Sequence, residues 1–200
     1  MKITKYGHAC LLVEENGVRF LLDPGSYSSG FEGLTELDAI LITHEHADHL
    51  VIDKVKELLE HNPGAMVITD EASAAQLAEA GVKTTTVHEG DKHDVKGVEV
   101  VAVGSKHAII HPTIPQAVNV GYLIAGSFFY PGDALTVPPG KVKILALPSV
   151  APWSKISETI DYLLEVKPQI AIPVHDGFLT TPGLFGQMLG NFSQPAGIEL

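Results

Sequence analysis

The sequence predicts an α/β fold in which layered sheet carries its helices on the outside. Three observations support this. Short apolar, β-branched runs recur along the chain, among them residues 9–13, 18–22, 38–43 and 98–103, with the composition of buried strands. Stretches of helical period stand between several of them, and from residue 38 to 87 the order strand, helix, strand, helix, strand is that of sheet with helices packed against it. Glycine and proline punctuate the junctions, as at Asn16-Gly17, Asn62-Pro63-Gly64 and Gly81. Two hundred residues, 45% of them apolar and 18% charged, suit a single domain over 1–200 with a sizeable core.

Taken in order, residues 2–22 read as antiparallel strands, with Asn16-Gly17 as the hairpin turn. The Gly/Ser-rich stretch 26–35, with Tyr27 and Phe31, is too irregular for a tight hairpin. It reads as an ordinary surface loop. The run Asp38-Ala39-Ile40-Leu41-Ile42-Thr43 is a buried strand. Residues 50–61 follow as a helix with Val55, Leu58 and Leu59 on one face, stopped by Asn62-Pro63-Gly64. Strand 65–69 leads to Asp70, which caps a helix running to Ala80. Strands are expected at 84–87, 98–103, 119–124, 127–130, 142–147 and 169–174, and a helix at 154–166 with Ile156, Ile160, Leu163 and Leu164 apolar. The stretch from Phe178 onward reads as a tail with fraying ends.

Composition narrows the function. A net charge of -11 and the lack of any Lys/Arg cluster longer than two argue against a nucleic-acid partner. No apolar run approaches the ~20 residues of a membrane span, and no apolar segment of signal-peptide type opens the chain. The single cysteine, Cys10, precludes an internal disulfide and reads as a small buried residue. A cytoplasmic protein acting on a small molecule, with no membrane and no nucleic acid, is expected. No G-x-S-x-G turn, Walker loop or G-x-G-x-x-G occurs, so neither a serine nucleophile nor a nucleotide cofactor is signalled.

The chemistry concentrates in Thr43-His44-Glu45-His46-Ala47-Asp48-His49, on the turn between a buried strand and a helix. Imidazole and carboxylate are the donor set for zinc, manganese or iron, and alternation along a short turn lets side chains address two metals. Other candidates are more ambiguous. His8 reads equally as a satisfied structural histidine and as one facing substrate. Asp23, before Pro24-Gly25, reads as an Asx-turn cap. Asp133, alone, is a turn residue. Trp153 reads as packing or as part of a cleft mouth, and His61, His88 and His93 as exposed and non-functional.

The motif H-x-H-x-D-H after an apolar strand resembles the signature of the metallo-β-lactamase fold superfamily. The likeness continues at Asp23 in Leu22-Asp23-Pro24-Gly25, at Asp133 in Pro131-Gly132-Asp133 and at His175 in Pro173-Val174-His175. Gly7-His8-Ala9-Cys10 and the short chain resemble the branch containing L-ascorbate-6-phosphate lactonase. The resemblance implies a four-layer αββα sandwich of mixed sheets. It implies a first metal held by His44, His46 and a histidine after strand 98–103, a second held by Asp48, His49 and His175, and Asp133 bridging both. For the histidine after the strand, spacing favours His107; His111, before Pro112, is then expected to face substrate. Asp23 becomes the brace, and Asp48, with His8, the catalytic pair. Two divalent ions, most naturally Zn2+ (with Mn2+, Fe2+ or Ni2+ as alternatives), would bind a hydroxide that attacks a small ester, lactone or phosphodiester. Short chains of this branch self-associate, so a homo-oligomer is expected too. An iron-dependent redox enzyme and a non-catalytic metal-binding protein are the alternatives.

Overall fold

The computed structural model describes residues 1–200, the side chain of Pro182 apart. Its first sheet runs, in spatial order, β1 (Lys2–Lys5), β2 (Leu11–Glu15), β3 (Val18–Leu22), β4 (Ala39–Ile42), β5 (Met66–Thr69) and β6 (Thr85–Thr86). β1 to β3 pair antiparallel and β3 to β6 parallel. The second sheet contains β7 (Lys92–Val95), β8 (Val98–Val103), β9 (Gly121–Ile124), β10 (Phe128–Tyr130), β11 (Ile144–Pro148) and β12 (Ile170–Val174), in the order β12-β11-β10-β9-β8-β7. There β7 to β10 pair antiparallel and β10 to β12 parallel. The helices are α1 (Ile52–His61), α2 (Glu71–Glu79), α3 (Ile156–Val166) and α4 (Pro182–Ser193).

The period of two along each strand explains the layering. Leu11 and Val13 of β2, and Ala39 and Leu41 of β4, join Val100, Tyr122, Ile124 and Phe128 of the other sheet in the core between the sheets. The alternate residues Leu12, Ile40 and Ile42 face outward onto Val55 and Leu58 of α1 and Leu77 of α2. A third cluster packs Leu145, Leu147 and Phe129 against Ile160 and Leu163 of α3 and Leu189 of α4. The result is the four-layer αββα sandwich. The central strands are apolar at nearly every position because both of their faces are covered. The hairpin turn has Asn16 at φ 50° and Gly17 at φ 82°, the left-handed pair of a type I′ turn. Tyr122 ties the sheets together: its Oη donates to Ile42 O at 2.8 Å and Ile68 O at 3.1 Å.

Two elements depart from the sequence reading. The stretch beyond Phe178 contains α4, whose Leu189 is fully buried, and ends with the Glu199 carbonyl accepting from Ala171 N at 2.7 Å. Gly183, Gly186 and Gly190 lower its helix propensity, so packing on α3, rather than local preference, decides it. β7 is an edge strand with only Val95 buried, which removes the apolar alternation by which strands are recognised. His93 therefore lies half-buried on a strand, not exposed in a turn, whereas His61 and His88 are exposed as expected.

Candidate metal centre

β4, β8, β10 and β12 all point their C-terminal ends at one edge of the sandwich, and the polar residues that follow them converge there. His44, His46, His107 and Asp133 form one group of potential donor atoms, and His49, Asp133 and His175 a second, each with its atoms within 4.8 Å of one another. Asp133 belongs to both. Its Oδ1 lies 3.1 Å from His49 Nε2 and 2.9 Å from His175 Nε2, and its Oδ2 lies 3.2 Å from His107 Nε2. The expected donors are thus gathered into two adjoining sets, with Asp48 at the edge of the second. Asp48 Oδ2 is 3.6 Å from His49 Nε2 and 3.3 Å from His8 Nε2.

Hydrogen bonds behind the site determine which ring nitrogen faces it. Asp23, fully buried at φ 46°, accepts from Thr43 N at 2.8 Å, from Thr43 Oγ1 at 2.8 Å and from His49 Nδ1 at 2.6 Å. Because a carboxylate only accepts, His49 must carry its proton on Nδ1 and present the Nε2 lone pair forward. Thr43 Oγ1, having donated to Asp23, accepts from His44 Nδ1 at 3.0 Å, which leaves His44 Nε2 free. His107 Nδ1 donates to the Ala108 carbonyl at 2.6 Å. Asp23 is therefore the brace, as the resemblance implies, and the Asx-turn reading falls away.

The donor set fits divalent cations. His49 Nε2, His107 Nε2, His175 Nε2 and Asp133 Oδ1 are buried with no hydrogen-bond partner, although they approach one another closely. Within each group these atoms gather within 4.8 Å of one another without hydrogen bonds to satisfy them. His44 Nε2 and His46 Nδ1 stand 3.0 Å apart, a spacing close to that of neighbouring ligand atoms around an ion bound at roughly 2.0–2.1 Å. Buried polar atoms left unpaired cost about 1–3 kcal/mol each, and a shared cation removes that cost.

The electrostatics agree for His44 and Asp133, whereas His49 without a cation holds a second proton, on Nε2 toward Asp133, that a bound cation would have to displace. Burial, with the neighbouring His49 next in weight, holds His44 well below its ordinary 6.5, so it stays neutral. Burial alone would lower His49 too, but Asp133 and Asp23 outweigh it and raise its pKa well above 6.5. Burial would likewise raise Asp133, yet His175 and His49 hold it well below the usual carboxylate range.

Backbone geometry admits few alternatives here. A Cβ on Gly25 would lie 1.7 Å from Asp48 O, so only glycine lets the segment after Asp23 pass behind the histidine turn. At Gly132, with φ 64°, a Cβ would meet Asn119 Oδ1 at 2.4 Å. Asn119 holds this turn from both sides: Nδ2 donates to Pro131 O at 2.9 Å, and Oδ1 accepts from Asp133 N at 3.0 Å. Sequence reasoning passed over Asn119, which has no local signal because its partners belong to a different strand end. Trp153, which the sequence left between packing and the cleft mouth, donates Nε1–H to Asp133 Oδ2 at 2.7 Å. The tryptophan is part of the site.

His111 is the correction. Its side chain is exposed and its Nδ1 bonds Thr113 Oγ1 at 2.7 Å, folding the ring back into its own turn. Ile110 lines the cleft in this segment, together with Tyr27, Trp153 and Phe178. His8 is fully buried. Gly177 N donates to its Nδ1 at 3.2 Å, so Nε2–H points at Asp48.

The family profile described as "Beta-lactamase superfamily domain" matches residues 2–175. This chain belongs to the metallo-β-lactamase fold superfamily. It is 45% identical to Protein Rv0786c of Mycobacterium tuberculosis, over 97% of this chain and 92% of that one. It is 28% identical to a UPF0173 metal-dependent hydrolase of Methanocaldococcus jannaschii, over 86% of this chain and 83% of that one. A crystal structure from Parabacteroides distasonis superposes with a TM-score of 0.80 at 23% identity, covering 98% of this chain and 90% of the other, which shows the shared fold. Among the described residues, no helix is long and apolar enough to cross a membrane.

Proposed function

We propose that this protein is a cytoplasmic metal-dependent hydrolase acting on a small ester, lactone or phosphodiester. One observation above all supports this: two groups of inward-facing imidazoles share one carboxylate, Asp133, and several of their donor atoms have no other partner. His44, His46 and His107 would hold one divalent ion, His49 and His175 with Asp48 the other, and Asp133 both. Donors of imidazole and carboxylate without cysteine suit catalytic zinc. When bound, the ions supply an acidified water and polarise the bond to be cleaved. The relatives' name as metal-dependent hydrolases agrees with this reading.

The chain's own part is to orient the reactants and move a proton. Burial would raise the Asp48 carboxyl, but the hydrogen bond from His8 and the nearby His49 outweigh it and leave its pKa lowered. Asp48 is thus ionised at neutral pH and placed to accept the proton of the attacking water. It then returns that proton to the leaving oxygen. His8, neutral because burial lowers its pKa, keeps Nε2–H on Asp48 Oδ2 and so holds the carboxylate in place at the cleft wall.

The test joins metal analysis to a screen of esters, lactones and phosphodiesters. Protein purified without chelator should carry one to two equivalents of zinc, manganese, iron or nickel. Its hydrolysis should stop on chelation and return with metal. Asp48→Asn should retain metal in the first group and lose roughly 10²–10⁴ in turnover, the range for general acid–base groups. Oxygen-dependent oxidation without hydrolysis, or hydrolysis by protein shown to be metal-free, would overturn the proposal.

A further inference from the structure

The cleft over the donor groups has a lining that bears on the substrate. Five of its residues, Tyr27, Ile110, Pro152, Trp153 and Phe178, are aromatic or aliphatic, around a volume of about 230 Å³. The Tyr27 and Phe178 rings meet edge-on with centroids 5.0 Å apart, and Phe178 also stands edge-on to His8 at 4.6 Å. Trp153 faces His107 edge-on at 6.0 Å while its Nε1–H is held by Asp133. Tyr27, Phe178 and Ile110 are 56%, 46% and 42% exposed, an apolar rim left to solvent beside the reaction centre.

No lysine or arginine lines this cleft. Lys5 is held by Asp176 at 2.6 Å and by the Pro173 carbonyl at 2.8 Å. Lys54 is held by the carbonyls of Gly25 and Ser28, and Lys155 lies beside Glu158 at 3.6 Å. The chain as a whole is strongly acidic, at -11. An anionic group carried among these apolar side chains, away from the scissile bond, would therefore lose water and gain no lysine or arginine partner.

Building on the hydrolase reading, we propose that the substrate is a neutral ester or lactone. Its apolar, ring-sized substituent lies among Tyr27, Ile110, Trp153 and Phe178, and it bears no phosphate or carboxylate beyond the scissile group. The reaction is balanced by water alone. Water oxygen bonds to the carbonyl carbon, the bond from that carbon to the alkoxy oxygen breaks, and the proton lost by water reaches the leaving oxygen by way of Asp48. A lactone gives the corresponding hydroxy acid.

The experiment compares kcat/KM for phenyl butyrate and 4-carboxyphenyl butyrate, with metal content measured on the same preparation. The neutral ester should be preferred by at least about tenfold, the scale on which apolar subsites discriminate. Phe178→Ala should raise KM for the neutral ester with metal content unchanged. Ile110→Arg, at an exposed position, should shift the preference toward the carboxylated ester. Equal or better use of the carboxylated ester by the wild type, or no shift in Ile110→Arg, overturns the substrate assignment and leaves the hydrolase reading standing. If metal-loaded protein turns over neither ester nor any lactone or phosphodiester, the hydrolase reading falls and the substrate assignment with it.

Discussion

Asp23→Asn offers a sharp test of how the site is built, because it preserves volume and removes one acceptor. Asp23 receives three hydrogen bonds, two from Thr43 and one from His49 Nδ1 at 2.6 Å. An asparagine can keep its oxygen toward Thr43 N only by turning its NH2 toward Thr43 Oγ1 and His49. The opposite orientation sets NH2 against the backbone N–H of Thr43, which cannot change. In the favoured orientation the threonine hydroxyl can accept instead of donate, but His49 Nδ1–H meets another donor. The ring must then carry its proton on Nε2, the atom that faces Asp133 at 3.1 Å, and its lone pair is withdrawn from the second donor group. The loss is one charge-assisted hydrogen bond, about 1.5–3 kcal/mol. At about 1.4 kcal/mol per decade that is roughly 10–100-fold in affinity, the usual cost of removing a partner behind a metal ligand. Competition with a chromophoric chelator should resolve two affinities: one near wild type for the His44, His46 and His107 group, the other weakened by that factor. Equal weakening at both, or no change at either, would refute the tautomer argument.

Three further predictions follow from the same geometry. Asp133→Ala should strip metal from both donor groups, since both contain its carboxylate, while His88→Ala on the exposed surface leaves elemental content unchanged. His107→Ala should lower metal content and His111→Ala should not; full metal in both variants would mean that the third donor of the first group is misassigned. In chelated protein, the raised pKa of His49 contributes stability fully present below its unfolded value of 6.5 and lost as pH rises through the folded value. The melting temperature of metal-free protein should thus fall from pH 6 to pH 9, and metal, which binds neutral His49, should offset that fall; a metal-free melting temperature that rises over this range would contradict the assignment.

Much of this molecule was legible in the linear sequence, and for a definable reason. The central strands are apolar at nearly every position because two layers cover them, and the donors sit on turns immediately after strands, so each local pattern coincides with a global role. His44, His46, Asp48 and His49 could be found because one turn carries them all, and Asn16-Gly17 because a left-handed pair has few other uses. By contrast α4, with three glycines, has no local preference strong enough to declare it, and β7 lacks apolar alternation because it lies on an edge.

What only the tertiary structure decided concerns direction and partnership. Sequence left His107 and His111 as alternatives. The fold turns the first inward onto Asp133 and bonds the second to Thr113, because the segment coils at His111 and leaves Ile110 over the cleft. Asp23 could have capped a turn; burial beside Thr43 and His49 makes it the residue that sets their protons. Trp153 and Asn119 belong to the site only because strand ends far apart in the chain, after β11 and before β9, arrive beside Asp133. Residue type and local spacing determine which atoms can bind a cation. Where their lone pairs point depends on hydrogen bonds between residues as distant as Asp23 and His49, or Asn119 and Asp133, and those exist only once the two sheets have packed.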